Sequence, residues 1–202
     1  MSPMTEIRGY VLAGGQSSRM GSDKALLKIE GLTAIERQCQ LLEPFCAQGV
    51  YIAGARSTEL SNLSWPVIHD STLNQGPLFG IISALQHAKS GIAVILAVDL
   101  LAIDRTDVSS LLEPLTHDVG QQVDVTFAQY FQESTVPDPQ PLCAAWRVEN
   151  CLPRLRQQFE NQQRSVMRAW LELQRQGVSL PQSHLININS PGDIEIFQQS
   201  KG

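Results

Sequence analysis

Apolar positions recur along the chain in two rhythms. Short, mostly apolar runs at Ile7 to Leu12, Val50 to Ala53 and Val67–Ile68 predict strands. Between them, Ile35, Cys39, Leu42 and Phe45 fall at helical spacing, and Thr33 and Glu36 stand at capping-box spacing, so a helix is expected from Thr33 to about Cys46. Gly49 ends it. A second helix is expected from Ile81 to Lys89, after a Gly76–Pro77 turn. Ile92 to Val98 is the most apolar run of all, the pattern of a strand buried on both faces.

Further on, Val123 to Ala128 and Leu142 to Trp146 read as strands, separated by a polar, proline-containing mobile loop, Gln129 to Gln140. Helices fit Glu149–Glu160 and Ser165–Gln176, a last strand fits Leu185 to Ile188, and Ser190, Pro191 and Asp193 form the cap and first turn of a final helix. The alternation of strand and helix predicts an α/β fold, a three-layer sandwich with a mainly parallel, Rossmann-like sheet. Residues 1–202 are expected to form one domain. In such sheets ligands bind beyond the carboxyl ends of strands, where both Ala13–Gly15 and Asp99 fall.

Composition narrows the function. A formal net charge of −5 argues against a nucleic-acid partner, which calls for a clustered basic surface. It leaves room for a nucleotide, which needs only a local positive field. No apolar stretch approaches the roughly 20 residues of a membrane span, and no basic region with a long apolar run stands at the N-terminus. No membrane association is therefore expected, and the location is expected to be cytoplasmic. Cys39, Cys46, Cys143 and Cys151 have no CxxC or zinc spacing; Cys39 and Cys46 are expected to be buried small hydrophobes.

The densest chemistry lies in Leu12 to Leu27, LAGGQSSRMGSDKALL. Gly14, Gly15 and Gly21 permit close backbone approach, successive N–H groups in such a turn can cradle an anion, and Arg19 and Lys24 add two cations suited to phosphate. A triphosphate is the natural match. The P-loop pattern fails, because Ser22, Asp23 and Lys24 follow Gly21; the dinucleotide fingerprint fails, because Gly14 and Gly15 are adjacent. Asp99, at the end of the apolar strand in VILAVDLLAID, is placed to hold a hard cation such as Mg²⁺, which takes one or two carboxylates and completes its shell with water and phosphate oxygens. Asp104 is better suited to capping the helix that follows.

The Leu12–Leu27 segment resembles the signature of the molybdenum cofactor guanylyltransferase family, LAGGxSxRMGxDK, and the likeness continues through His69–Asp70, GPLFGIISALQHA, QPLCAAWR, RSVMRAWL and NINSPGDIEIF. The resemblance implies transfer of GMP from GTP to molybdopterin or Mo-molybdopterin, with release of pyrophosphate and with molybdoenzyme maturation proteins receiving the product. It makes Leu12, Ala13, Gly14, Gly15, Lys24, Asp70, Gly76, Gly80 and Asp99 nucleotide-binding residues, Asp99 the Mg²⁺ ligand, and Arg19, Lys24 and Asp99 the catalytic group. A carboxylate at Asp70 suits guanine, whose N1–H and N2–H it can accept together; a turn or cap role is the alternative.

Arg164 and Arg168, four apart on one expected helical face, and Asn187 with Asn189, on one side of the expected strand, are acceptor-binding candidates; a solvated arginine face and cap chemistry are the alternatives. Three departures from the family pattern stand out. Leu100–Leu101 follow Asp99 where relatives have a small or polar residue and then proline, Ala53 stands where some have asparagine, and Gln140 stands for a histidine. A cytidylyl- or sugar-phosphate nucleotidyltransferase, and a GTP-binding relative without turnover, are the competing expectations.

Overall fold

The computed structural model describes residues 6–13, 24–54, 60, 62–68, 75–117, 120, 122–131, 137–188 and 192–193. Among these a seven-stranded sheet has the order β5-β4-β1-β6-β8-β7-β9. Its strands are β1 (Ile7–Leu12), β4 (Val50–Ala53), β5 (Val67–Ile68), β6 (Ile92–Ala97), β7 (Val125–Phe131), β8 (Pro137–Arg147) and β9 (Arg175–Ser179). Only β8 runs against the rest, pairing antiparallel with both β6 and β7. The remaining contacts, β5 to β4, β4 to β1, β1 to β6 and β7 to β9, are parallel. A small antiparallel hairpin, β2 (Lys28–Ile29) and β3 (Leu32–Thr33), stands apart.

Period-two alternation divides the core into two layers. Val11, Ile52, Val94, Leu96 and Cys143 face one side, where they meet α1 (Ala34–Leu42) and α3 (Arg105–Thr116). Tyr10, Ala53, Ile95, Ala144 and Trp146 face the other, against α2 (Pro77–Ala88), α4 (Val148–Glu160) and the short α5 (Val166–Ala169). The expected three-layer sandwich with a mainly parallel sheet is the fold observed. No helix of the described residues is long and apolar enough to cross a membrane.

Gly9 shows how tightly α1 lies on the sheet. A Cβ at this position would stand 3.0 Å from Cys46 Sγ and 3.2 Å from Leu42 Cβ, so the absent side chain is what lets the end of α1 settle on β1. Gly9→Ala is expected to lower stability by about 1–3 kcal/mol through overpacking. Urea unfolding measures this, and an unchanged midpoint would mean that the helix shifts without cost.

Where the elements differ from expectation, proline or edge chemistry is usually responsible. α1 stops at Leu42 and continues as a 3-10 turn, Glu43–Phe45, because Pro44 has no amide proton to extend the α-helix. α2 begins at Pro77 rather than Ile81: proline is pre-set for the first helical position, and Gly76 adopts φ 83°, ψ 178° before it. The expected loop Gln129–Gln140 is largely strand. β7 and β8 pair beyond a bulge as far as Phe131 and Pro137, although residues 132–136 lie outside the described set. Pro137, Pro139 and Pro141 share one phase of β8, so the missing donors fall on a single edge and the other edge remains free to pair.

The expected helix Ser165–Gln176 is one short helix followed by β9. Its buried positions Val166, Ala169, Trp170 and Leu173 imitate helical spacing, but Arg175–Ser179 adds to β7 as an edge strand. Gly177 leaves room there for the Gln129 side chain, which a Cβ would strike. Leu185–Ile188 is not a strand: a 3-10 turn, Gln182–Leu185, leads into an irregular extension. Of the final helix only Gly192 and Asp193 are described, and both are helical. All four cysteines are free and buried.

Candidate active site

The sheet order places a topological switch at its centre. From β1 the chain proceeds outward through β4 and β5, then returns to lay β6 on the other flank of β1. Leu12 and Ala97, the last residues of β1 and β6, are partners in register, and the Val98 amide donates to the Leu12 carbonyl (3.2 Å). Ala13 and Asp99 therefore emerge side by side, at the position where open α/β sheets bind ligands.

Lys24 reaches this place from the far end of the Gly-rich segment. It opens a 3-10 turn, Lys24–Leu26, held by the fully buried Ala25 and Ile29 and by the β2–β3 hairpin. Glu30 (φ 52°) and Gly31 (φ 86°) make the hairpin turn with positive φ at both central positions, the geometry that matches strand twist. Thr33 then caps α1: its hydroxyl accepts from the Glu36 amide (3.3 Å), while the Glu36 carboxylate accepts from the Thr33 amide (2.8 Å). Burial raises the pKa of Asp99, and the opposing effect comes first from the positive charge of Lys24, with the residue's own backbone amide adding to it. Lys24 and Asp99, widely separated in sequence, thus share one electrostatic site.

The start of α2 closes another side. Gly76 has a backbone conformation open to glycine, with no neighbour within 4 Å of a Cβ, so conformation rather than space requires it. Gly80 is buried, and a Cβ there would lie 3.4 Å from Leu12 Cδ2, which places the first turn of α2 against the end of β1. The N-terminal end of that helix supplies a positive field at the same edge.

A third side comes from the C-terminal segment. The Ile188 amide donates to the Asp99 carbonyl (2.9 Å), which sets the exposed Asn187 one residue from that anchor. The segment is also clasped to α3, since His184 Nδ1 lies 2.8 Å from Asp107 Oδ2. Asp104, Asp107 and His184 form a close group, but its contacts are structural. Asp104 caps α3 by accepting from the Thr106 and Asp107 amides, and Asp107 accepts from the Asp104 amide.

Of the expected site residues, Leu12, Ala13, Lys24, Gly76, Gly80 and Asp99 gather at this end of the sheet, and Asn187 lies beside them. Gly14, Gly15, Arg19, Asp70 and Asn189 lie outside the described residues. Arg164 and Arg168 do not share a helical face: Arg164 precedes α5, whose N-cap is Ser165. The Arg164 guanidinium lies 3.9 Å over the Phe159 ring and donates to the Phe159 carbonyl (2.8 Å), a local contact on the α2–α4 side of the sheet. Arg147, at the end of the QPLCAAWR stretch, sits at the opposite sheet end. There it donates to the Leu115 and Val123 carbonyls and serves the end of α3. Sequence reasoning missed Gln38, the one polar residue in the buried stripe Ile35–Gln38–Cys39–Leu42 and a hydrogen-bond donor to Leu100 next to the site.

A family model for the MobA-like NTP transferase domain matches residues 9–178, which span every strand of the sheet but for the ends of β1 and β9. The chain belongs to this family. A probable molybdenum cofactor guanylyltransferase of Nostoc sp. is 31% identical over 199 residues, covering 96% of this chain and 92% of that protein. One from Rhodopirellula baltica is 32% identical over 195 residues, covering 92% and 89%. The crystal structure of molybdopterin-guanine dinucleotide biosynthesis protein A from Archaeoglobus fulgidus superposes with a TM-score of 0.75 at 20% identity, covering 96% of this chain and all of that one; at that identity the likeness concerns the fold.

For a MobA-like chain the departures now have physical settings. Ala53 is wholly buried at the end of β4 and its carbonyl accepts from the Ala13 amide (2.9 Å), so it supports the β1 end from beneath. Leu100 and Leu101 are buried in the core, at 2% and 5% exposure, and anchor the turn after Asp99 by packing. Gln140 pairs with Ala128 in the β7–β8 extension, beyond the point where β8 leaves β6.

Proposed function

We propose that this chain transfers GMP from GTP to the terminal phosphate of molybdopterin or Mo-molybdopterin, forming the guanine dinucleotide cofactor and pyrophosphate. The observation that carries the site is the emergence of Ala13 and Asp99 side by side at the β1–β6 switch, within the field of the Lys24 charge, with the two curated guanylyltransferase relatives supporting the choice of reaction. A phosphate oxygen of the acceptor attacks the α-phosphorus of GTP. A new P–O bond forms, the bond from the α-phosphorus to the bridging oxygen breaks, and pyrophosphate leaves with that electron pair.

Two polyanions must approach, so neutralising charge is the main catalytic task. Lys24, with Arg19, would hold the triphosphate and the departing pyrophosphate. The Leu12–Gly15 backbone and the Gly76–Gly80 turn would shape the nucleotide pocket, and Asp70 would read the guanine edge. Asn187 and Asn189 would face the acceptor; Arg164 and Arg168 are weaker candidates, since Arg164 is already engaged locally. Asp99 suits a Mg²⁺ site: a half-buried carboxylate oxygen at a strand end is a hard donor, and burial that disfavours its free charge would be relieved by a cation. Bound there, Mg²⁺ would neutralise phosphate charge and polarise the α-phosphoryl group. The setting proposed is the cytosol, where four unpaired cysteines persist as thiols, with molybdoenzyme maturation proteins taking the product.

Calorimetry with GTP, CTP, ATP and UTP in the presence of Mg²⁺ tests the nucleotide half. Selective GTP binding, weakened by Asp70→Ala, is expected; a preference for CTP would move the chain to cytidylyl chemistry. Lys24→Ala is expected to lower kcat/KM for GTP by roughly 10–100-fold, the value of a charge-assisted hydrogen bond of about 1.5–3 kcal/mol. An unchanged GTP dependence would remove Lys24 from the phosphate site.

A further inference from the structure

The turn that carries Asp99 is held by hydrogen bonds from three directions. The Val98 amide bonds to β1 through the Leu12 carbonyl, the Asp99 carbonyl accepts from Ile188, and the Leu100 amide donates to the Ala97 carbonyl (3.3 Å). The Leu100 carbonyl is held by a side chain: Gln38 Nε2, from the middle of α1, donates to it at 2.5 Å. Gln38 is 2% exposed and stands within an otherwise apolar stripe. Among the described residues its buried Oε1 has no hydrogen-bond partner.

That orphan acceptor is informative. A leucine or methionine would fill the same stripe without leaving a polar atom unsatisfied, and buried polar atoms are nearly always paired. Packing therefore does not explain a glutamine here, whereas the donated bond does. It fixes the peptide plane immediately after Asp99, in a turn where Leu100–Leu101 provide no backbone ring to restrict φ.

We propose that Gln38 is a positioning residue for Asp99, holding the turn through the Leu100 carbonyl so that the carboxylate meets the nucleotide's phosphates and cation in a single orientation. Gln38 itself touches neither substrate nor metal. The proposal rests on the metal-binding role assigned to Asp99 above. The pattern is that of partners beyond the direct ligands, which orient those ligands and whose loss typically lowers affinity or activity about 10–100-fold.

The test is Gln38→Met, which preserves length and removes both the donor and the orphan acceptor. Gln38→Leu is carried in parallel, so that a failure of one variant to fold does not end the test. The expected result is a folded protein with GTP affinity within about twofold of wild type, kcat lowered about tenfold, and a higher Mg²⁺ concentration for half-maximal rate. A residue acting through Asp99 has little left to lose once Asp99 is gone, so adding Gln38→Met to Asp99→Asn should lower turnover no further. Wild-type kcat in the folded single variants, or the same fold-loss in both backgrounds, would overturn the proposal. Wild-type turnover by Asp99→Asn alone would instead overturn the metal site on which it rests, however Gln38 behaves.

Discussion

Asp99→Asn is expected to lower guanylyl-transfer turnover at least ~100-fold while leaving the ligand-free protein as stable as wild type or more so. The loss follows from removing the charge that would hold the cation against two polyanions, where a single preorganised electrostatic element is worth about that much. The stability half follows from sign. Burial raises the pKa of Asp99 in the folded protein above the usual 3.8, despite the opposing charge of Lys24. Between the usual and the raised value the folded state binds more protons than the unfolded state, so stability falls as pH rises through that window and stays lower above it. Asparagine removes the buried charge and the associated loss.

Mg²⁺ should work in the opposite sense. It binds the ionised carboxylate, so the rise in Tm on adding Mg²⁺ and nucleotide should fade as pH falls through the Asp99 pKa, which burial raises from the usual aspartate value. Turnover assays and thermal melts across pH check both halves. Normal turnover by folded Asp99→Asn would remove its catalytic role, and a clear drop in Tm would contradict the electrostatic argument.

The second large effect lies at the other end of the sheet and concerns stability. Asp124 is 3% exposed and precedes β7. Its carboxylate accepts from Asn150 Nδ2 (2.7 Å), Arg154 Nη1 (2.5 Å) and the Gln174 amide (2.9 Å), while its backbone carbonyl accepts from the Arg147 amide (2.8 Å) and Cys151 Sγ (3.2 Å). Asn150 and Arg154 are four apart on α4, and Gln174 leads into β9, so one carboxylate ties a helix and an edge strand to the sheet. Asp124→Ala orphans the Asn150 side-chain amide and the Gln174 backbone amide, while the half-exposed Arg154 can turn to water, so the expected loss is about 2–4 kcal/mol, the scale of two unsatisfied donors. That is a large part of the roughly 5–15 kcal/mol of an ordinary domain. Urea unfolding measures it. The kcat of the remaining folded enzyme should stay near wild type, because Asp124 borders the N-terminal end of β6 and Asp99 its C-terminal end. A loss below about 1 kcal/mol would mean that water replaces the carboxylate at little cost.

Much of this was legible in the sequence where one physical signal dominated. The fully apolar Ile92–Val98 run has the pattern of a central strand, and the Thr33/Glu36 and Asp104 caps mark helix starts by local hydrogen bonding alone. The convergence of Ala13 and Asp99 was visible as two strand ends; their adjacency needed the strand order, which no local pattern encodes. β9 was hidden because Val166, Ala169, Trp170 and Leu173 repeat with helical spacing while Arg175–Ser179 is polar, as an edge strand can be. The pairing of β7 with β8 past the bulge was masked by three prolines that look like loop until their shared phase is noticed. Gln38 was the quietest signal, a single polar residue in an apolar stripe whose meaning depends on a carbonyl 62 positions away.

The most direct measurement follows GMP from α-³²P-labelled GTP into product, using purified protein, Mg²⁺ and molybdopterin, with CTP as the matched alternative and pyrophosphate release recorded in parallel. The expected result is label in the dinucleotide cofactor from GTP, stoichiometric pyrophosphate, and little transfer from CTP. GTP bound without product in the presence of a competent acceptor, or preferential transfer from CTP, would contradict guanylyl transfer by this chain.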